Sequence, residues 1–270
     1  MLATSVLQAE PVKIVAAENF YGDIAKQIGG SAVKVTAILN NPNQDPHEFQ
    51  ADAATAILIA DADIIIYNGI GYDSWMEKLL QARGDKKRKI IKIADLVGAT
   101  MGQNPHLWYN PQVMPELAEK LSELLHKPTE FALFSSSMKP LAEKITEIRK
   151  KYAGTKVTAT EPIFAYMARA LGLEMLNSDY QVAMMNGTEP SFQQTAEFQN
   201  SVTDKRVKIL FYNNQVLTPS TERMQALAQK NNIPIVGLSE MQPASAKNYQ
   251  EWMMSELARL EAALLPSKER

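Results

Sequence analysis

KIVAAENFYGDIAKQIG, residues 13–29, can be laid without a gap over KVTATEPIFAYMARALG, residues 156–172. In each stretch a run of β-branched and small residues ends in a glutamate, Glu18 or Glu161, and an amphipathic segment follows that closes on glycine, Gly29 or Gly172. Phe20 falls on Ile163, Tyr21 on Phe164, Ile24 on Met167 and Ile28 on Leu171, so the apolar positions hold their register through the helix. The pattern is that of a strand, an acidic residue at its carboxyl end and a helix ended by glycine. Two unrelated βα units would share much of it; on either reading, two similar α/β lobes are the expected architecture.

Working outward, further strands are expected at VKVTAIL (33–39), ADIIIYN (62–68) and RKIIKI (88–93) in the first half, and at VKILFYN (207–213) and PIVGL (234–238) in the second. They alternate with helical patterns, which reads as βα units on mostly parallel sheets. Between the two sets lies a region without strand signal. It holds PELAEKLSELLH (115–126) and a long helical stretch in which Leu141, Ile145 and Ile148 form one narrow apolar stripe. The expected organisation is a lobe at 10–127, one long linking helix at 128–151 and a second lobe at 152–270. Two late helical stretches, 190–202 and 245–265, carry apolar stripes read as core packing.

The chain of 270 residues is 46% hydrophobic and can bury a sizeable core. Its formal net charge of −2 and lack of long basic runs argue against a nucleic-acid partner. The basic cluster KKRK (86–89) reads as a solvated turn. There are no cysteines, so any metal must be held by nitrogen and oxygen. The first nine residues, ending in Ala9 before Glu10-Pro11, read as the tail of a secretory signal. Methionine pairs such as Met184-Met185 and Met253-Met254 read as gap-filling core. There is no HExxH, GxSxG, P-loop or GxGxxG motif, and Gly69-x-Gly71 reads as a turn, so an enzyme is not expected.

Two of the three histidines, His47 and His106, sit in related settings, Asp45-Pro46-His47 and Asn104-Pro105-His106. Each follows a proline in a polar loop after a strand, where open α/β sheets carry their ligands. His126 ends a helix, where a cation suits the dipole. Glu161 and Glu240 follow strands of the second half. Singly, these are ordinary loop histidines and cap carboxylates. Together, two imidazoles from one lobe and two carboxylates from the other make a sensible metal site in the cleft between lobes.

The chain resembles the metal-ion solute-binding proteins of bacterial ABC importers, the cluster A-I (cluster 9) type that handles manganese, zinc or iron. The resemblance rests on Asp45-Pro46-His47-Glu48, on Tyr67 to Asp73 with Trp75-Met76 behind, and on Asn104 to Trp108 with Asn110-Pro111. Lys139 to Lys144, Glu161 to Met167 and Leu171-Gly172-Leu173 complete it. It implies two lobes joined by a long helix and a divalent transition metal held between them by His47, His106, Glu161 and Glu240. Asn213 and Gln215 are alternative ligands or outer partners, since the family more often has aspartate where Glu240 stands. Glu161 stands where zinc-type members often have histidine, and the His-rich loop frequent in those members is missing. The resemblance further implies an exported, periplasmic monomer, without a lipid-anchor cysteine, that delivers the metal to a membrane permease. A metal-dependent hydrolase, with Glu48 or Glu189 as base, or a surface adhesin on the same fold are the alternatives. Affinity is expected to fall below roughly pH 6 as histidines protonate.

Overall fold

The strands expected at 12–17 and 156–160 occupy equivalent places in two four-stranded sheets. The computed structural model describes residues 10–41, 46–82 and 88–265, without the side chain of His47. Residues 1–9, Asp45 and Lys86-Lys87, all invoked above, lie outside the described residues. The first half runs β1 (Val12–Glu18), α1 (Asn19–Gly29), β2 (Val33–Leu39), α2 (Ala53–Asp61), β3 (Ile64–Tyr67), α3 (Ser74–Ala82), β4 (Lys89–Lys92) and the short α4 (Ile93–Leu96). Three helices follow, α5 (Val113–Leu125), α6 (Pro128–Ser137) and α7 (Lys139–Tyr152). The second half runs β5 (Lys156–Ala159), α8 (Ala165–Ala170), β6 (Glu174–Met175), α9 (Ser178–Met185), α10 (Phe192–Thr203), β7 (Leu210–Asn213), α11 (Pro219–Lys230), β8 (Ile235–Leu238) and α12 (Tyr249–Leu264).

The sheets have orders β2-β1-β3-β4 and β6-β5-β7-β8. Every pairing is parallel. The second order is the first displaced by four strands, so the two lobes share one topology. In each, the chain leaves the first strand in one direction and returns to its other side, opening a crevice at the strand ends between β1 and β3 and between β5 and β7.

The inner strands β1 and β3 read as near-continuous apolar runs because both of their faces are covered, whereas the edge strands β2 and β4 are only partly buried. Ile14 and Ala16 of β1, with Ile64 and Ile66 of β3, enter one large core, while Val15, Ala17, Ile65 and Tyr67 pack on the opposite face. The same alternation sends Phe211 of β7 into the large core and Leu210 to the other side. The expected strands all form. Only the two-residue edge strand β6 was not foreseen, being too short to carry an alternation.

The large core is continuous through both lobes. Phe20 of α1 meets Trp108 at a centroid distance of 4.9 Å and Trp252 of α12 at 5.8 Å. Tyr109 meets Trp252 at 5.8 Å and Phe164 at 5.4 Å, and Phe164 meets Phe211 at 4.8 Å. An aromatic chain thus crosses from the first lobe to the sheet of the second. Polar ties flank it: Asn19 Nδ2 donates to the Gln242 carbonyl at 2.8 Å and the Gln242 N–H donates to Asn19 Oδ1 at 3.1 Å. The Tyr249 N–H at the start of α12 donates to Asp23 of α1 at 2.8 Å.

The linking segment is helical from Pro128 to Tyr152, with one interruption. Pro140 has no N–H for the helical ladder, so α6 and α7 meet at Met138, whose φ of −81° and ψ of −16° stay in the helical region. At the end of α8, Gly172 takes φ +70°, and the Leu173 N–H closes on the Ala168 carbonyl at 2.9 Å. In the first half the left-handed residue is Gly30 rather than Gly29. His126 itself caps α5 in the left-handed region, its N–H on the Ser122 carbonyl. Met253 is fully buried and Met184 packs against the second core, as expected of gap-filling side chains.

Candidate metal centre

Glu161 lies two residues beyond β5, extended at φ −143° and ψ 161°, just before the turn Pro162–Phe164. Pro162 cannot continue the ladder, so the strand ends and the carboxylate is turned over the crevice beside β7. Glu240 likewise lies two residues beyond β8. Its N–H donates to Gln215 Oε1, and the preceding Ser239 carbonyl accepts from Tyr109 at 2.8 Å, which pins the loop. His106 follows Pro105 on the loop after α4, with its ring against Trp108 at 5.3 Å.

These three side chains converge. One donor atom each from His106, Glu161 and Glu240 lie within 4.8 Å of one another, and all three residues are buried. His106 Nε2 is 3.9 Å from Glu240 Oε1 and has no hydrogen-bond partner among the described residues. The other ring nitrogen, Nδ1, is 2.6 Å from Asn104 Oδ1. Asn213, at the end of β7, donates from Nδ2 to Glu161 Oε2 at 3.1 Å and to Glu240 Oε1. Its Oδ1 accepts the Gln215 N–H at 3.0 Å, which sets the orientation of the amide. Tyr72 donates to Glu240 Oε2 at 2.8 Å. Burial, reinforced by the Glu240 and Glu18 charges, holds the Tyr72 hydroxyl well above the ordinary phenol range, so it remains a donor. One imidazole nitrogen and two carboxylates form an N/O set suited to a divalent first-row metal.

Of the residues named from sequence, His106, Glu161, Glu240 and Asn213 are brought together, and Gln215 holds the backbone of Glu240. The backbone of His47 lies in the single turn Pro46–Glu48, and its side chain is outside the described residues. Tyr72 and Asn104 were quoted within motifs but given no role. The tyrosine hydroxyl and the asparagine amide declare themselves only when their partners, far along the chain, are in place. Glu48 and Glu189, considered above as bases, are exposed. The Gly69–Gly71 segment is a turn, with Gly69 at φ +83° and Gly71 at +89°, and Asp73 accepts from the N–H groups of Asn68 and Gly69.

Glu18, the residue in register with Glu161, behaves differently. It is the last residue of β1 and wholly buried, with neither carboxylate oxygen in hydrogen-bond geometry among the described residues. Desolvation, then the nearby Asp73 charge, pushes its carboxyl well above the usual range. Asp73 is itself pushed up to about 6 by burial, partly offset by its two backbone donors. A raised folded-state value means that the folded protein holds the proton more tightly. The associated stability is full below the unfolded value and is lost as pH rises through the folded one. Glu18→Gln, which stays neutral, is therefore expected to gain stability over the wild type as pH is raised from about 5 to about 8. Urea midpoints at the two ends check this, and parallel pH profiles for the two proteins would show that Glu18 keeps one charge state throughout.

Comparison with known proteins identifies the family. The zinc-binding lipoprotein AdcA of Streptococcus pneumoniae is 22% identical over 265 residues, 88% of this chain and 53% of its own length. The chain thus spans about half the length of that relative. The manganese ABC transporter substrate-binding lipoprotein PsaA of Streptococcus anginosus is 25% identical over 250 residues, 84% of this chain and 79% of its own. The solved structure of the periplasmic zinc-binding protein TroA from Treponema pallidum superposes with a TM-score of 0.79, covering 96% of this chain and 100% of that one at 17% identity, a likeness of fold. The family described as ZnuA, zinc-uptake complex component A, periplasmic, matches residues 14–263; with two parallel lobes and a buried N/O cluster where they meet, the chain belongs to that family.

Proposed function

We propose that this protein captures one divalent transition metal ion between its lobes, at 10–127 and 152–270, and delivers it to the membrane permease of an ABC importer. The carrying observation is the buried convergence of His106, Glu161 and Glu240 donor atoms within 4.8 Å. His47 is the fourth ligand, carried on the loop after β2. Asn213 presents N–H groups to both carboxylates, so it orients them and does not ligate; Gln215 fixes the loop that bears Glu240. The names of the relatives support the class of cargo, since AdcA is a zinc-binding lipoprotein and PsaA the substrate-binding lipoprotein of a manganese ABC transporter. Family and relatives are periplasmic or lipoproteins, which supports an exported protein. Among the described residues no helix is long and apolar enough to cross a membrane.

Because the three donors are buried, entry and release of the ion require the lobes or their loops to part. Two carboxylates tilt the set toward Mn(II) or Fe(II), whereas zinc binds most such sites more tightly than manganese. Calorimetric titration of metal-stripped protein with Mn(II), Zn(II) and Fe(II), the last without oxygen, is expected to give one ion per chain for at least one metal. No binding by any of the three would end the metal reading.

A further inference from the structure

Asn104 contacts the sites of both lobes with a single amide. Its Oδ1 accepts from the His106 N–H at 3.1 Å and lies 2.6 Å from His106 Nδ1. Its Nδ2 donates at 2.7 Å to the carbonyl of Pro162, the residue directly after Glu161. Its own carbonyl accepts from the Tyr166 hydroxyl at 2.8 Å, a second bond across the cleft. The two ends of the amide cannot be exchanged. Flipping it would set Nδ2 against the His106 N–H and Oδ1 against the Pro162 carbonyl, opposing donor to donor and acceptor to acceptor.

We infer that Asn104 is the positioning residue that joins ligand geometry to lobe closure: it holds His106 with the proton on Nδ1 and Nε2 turned to the ion, and in the same stroke ties that loop to the strand end bearing Glu161. A ligating histidine is commonly oriented by a bond from its other ring nitrogen. Here the orienting group also reaches into the opposite lobe, so opening the cleft at Pro162 releases the amide that holds the imidazole. Release of the ion and loss of the ligand's orientation are then one event. Asn68 supports the same loop from behind, donating to the Pro105 carbonyl at 3.0 Å, so the loop itself survives substitution at 104.

This rests on the metal-capture reading, and its test has one arm that does not depend on it. In metal-free wild-type protein, the ¹⁵N shifts of His106 are expected to show the Nδ1–H tautomer; an Nε2–H tautomer would overturn the inference whether or not metal binds. Asn104→Ala removes both bonds and is expected to lower metal affinity by about tenfold or more, the scale of lost orienting partners. Asn104→Asp keeps the acceptor for Nδ1–H but cannot donate to Pro162. It is expected to retain the tautomer and recover most of the affinity, while metal release in a chelator chase quickens roughly fivefold, the scale of one hydrogen bond. Wild-type binding with both variants unchanged in affinity and release would overturn the inference and leave the capture reading standing. Failure of the wild type to bind metal would overturn the capture reading, with the tautomer still deciding the role of Asn104.

Discussion

His106→Ala is expected to weaken binding of the preferred metal by at least about tenfold, with the fold retained. The ring is buried, its Nδ1 faces Asn104, and its Nε2 has no hydrogen-bond partner among the described residues, so its lone pair is available as a donor. Without it, the remaining donors of the convergent set are Glu161 and Glu240, whose harder oxygens favour zinc less than the mixed set does. The loss should therefore be greater for Zn(II) than for Mn(II), and calorimetry of both ions on one preparation measures it. Unchanged affinity in His106→Ala would remove this residue from the donor set. His47→Ala, from the other Pro-His loop, is expected to lower affinity by a similar factor.

Trp108→Ala is expected to cost about 3–5 kcal/mol of stability, read from the urea midpoint. The indole is fully buried between Phe20 at 4.9 Å and Tyr72 at 4.9 Å, with His106 on its edge at 5.3 Å. The Trp108 carbonyl accepts the Tyr249 hydroxyl at 2.7 Å, so its backbone is held by the C-terminal helix while its ring fills the first lobe. Truncation leaves a cavity in the core that the two lobes share, and close-packed rings on all sides limit its collapse. Trp108→Phe, which keeps most of the volume, should lose much less. A loss below about 1 kcal/mol for the alanine variant would show that the interface relaxes around the gap, and that the continuous core adds little to holding the lobes.

Much of the fold was legible because inner parallel strands such as β1 and β3, covered on both faces, are nearly all apolar, and because each half repeats a strand, a glutamate and a helix ended near a glycine. The linking helix was legible from its stripe but was expected as one unbroken helix over 128–151; it is two, because Pro140, unlike Pro128 in the first turn, falls where the ladder needs a donor. The candidate site was legible in part. Proline-histidine loops and glutamates just past strands are local features, and His106, Glu161 and Glu240 do converge.

The repeat also set a limit on what register alone conveys. Glu18 and Glu161 align residue for residue, yet one is enclosed within its lobe and the other faces the cluster. β1 stays in the ladder through Glu18, paired opposite Leu39, and α1 starts at the next residue. β5 stops at Ala159, and Pro162 then turns the chain, leaving Glu161 outside the ladder and over the crevice. By itself, then, the sequence determined the two α/β lobes, their linking helix, a cysteine-free N/O chemistry and the loops able to bear ligands, since all of these follow from local composition and period. Only the tertiary structure decided which carboxylate is a ligand candidate and which a buried acid, that the Asn213 amide presents nitrogen and not oxygen, and that Tyr72 and Asn104 serve partners in the other lobe. Those outcomes depend on hydrogen bonds between groups distant in the chain, whose donors and acceptors have no fixed direction until both lobes have packed.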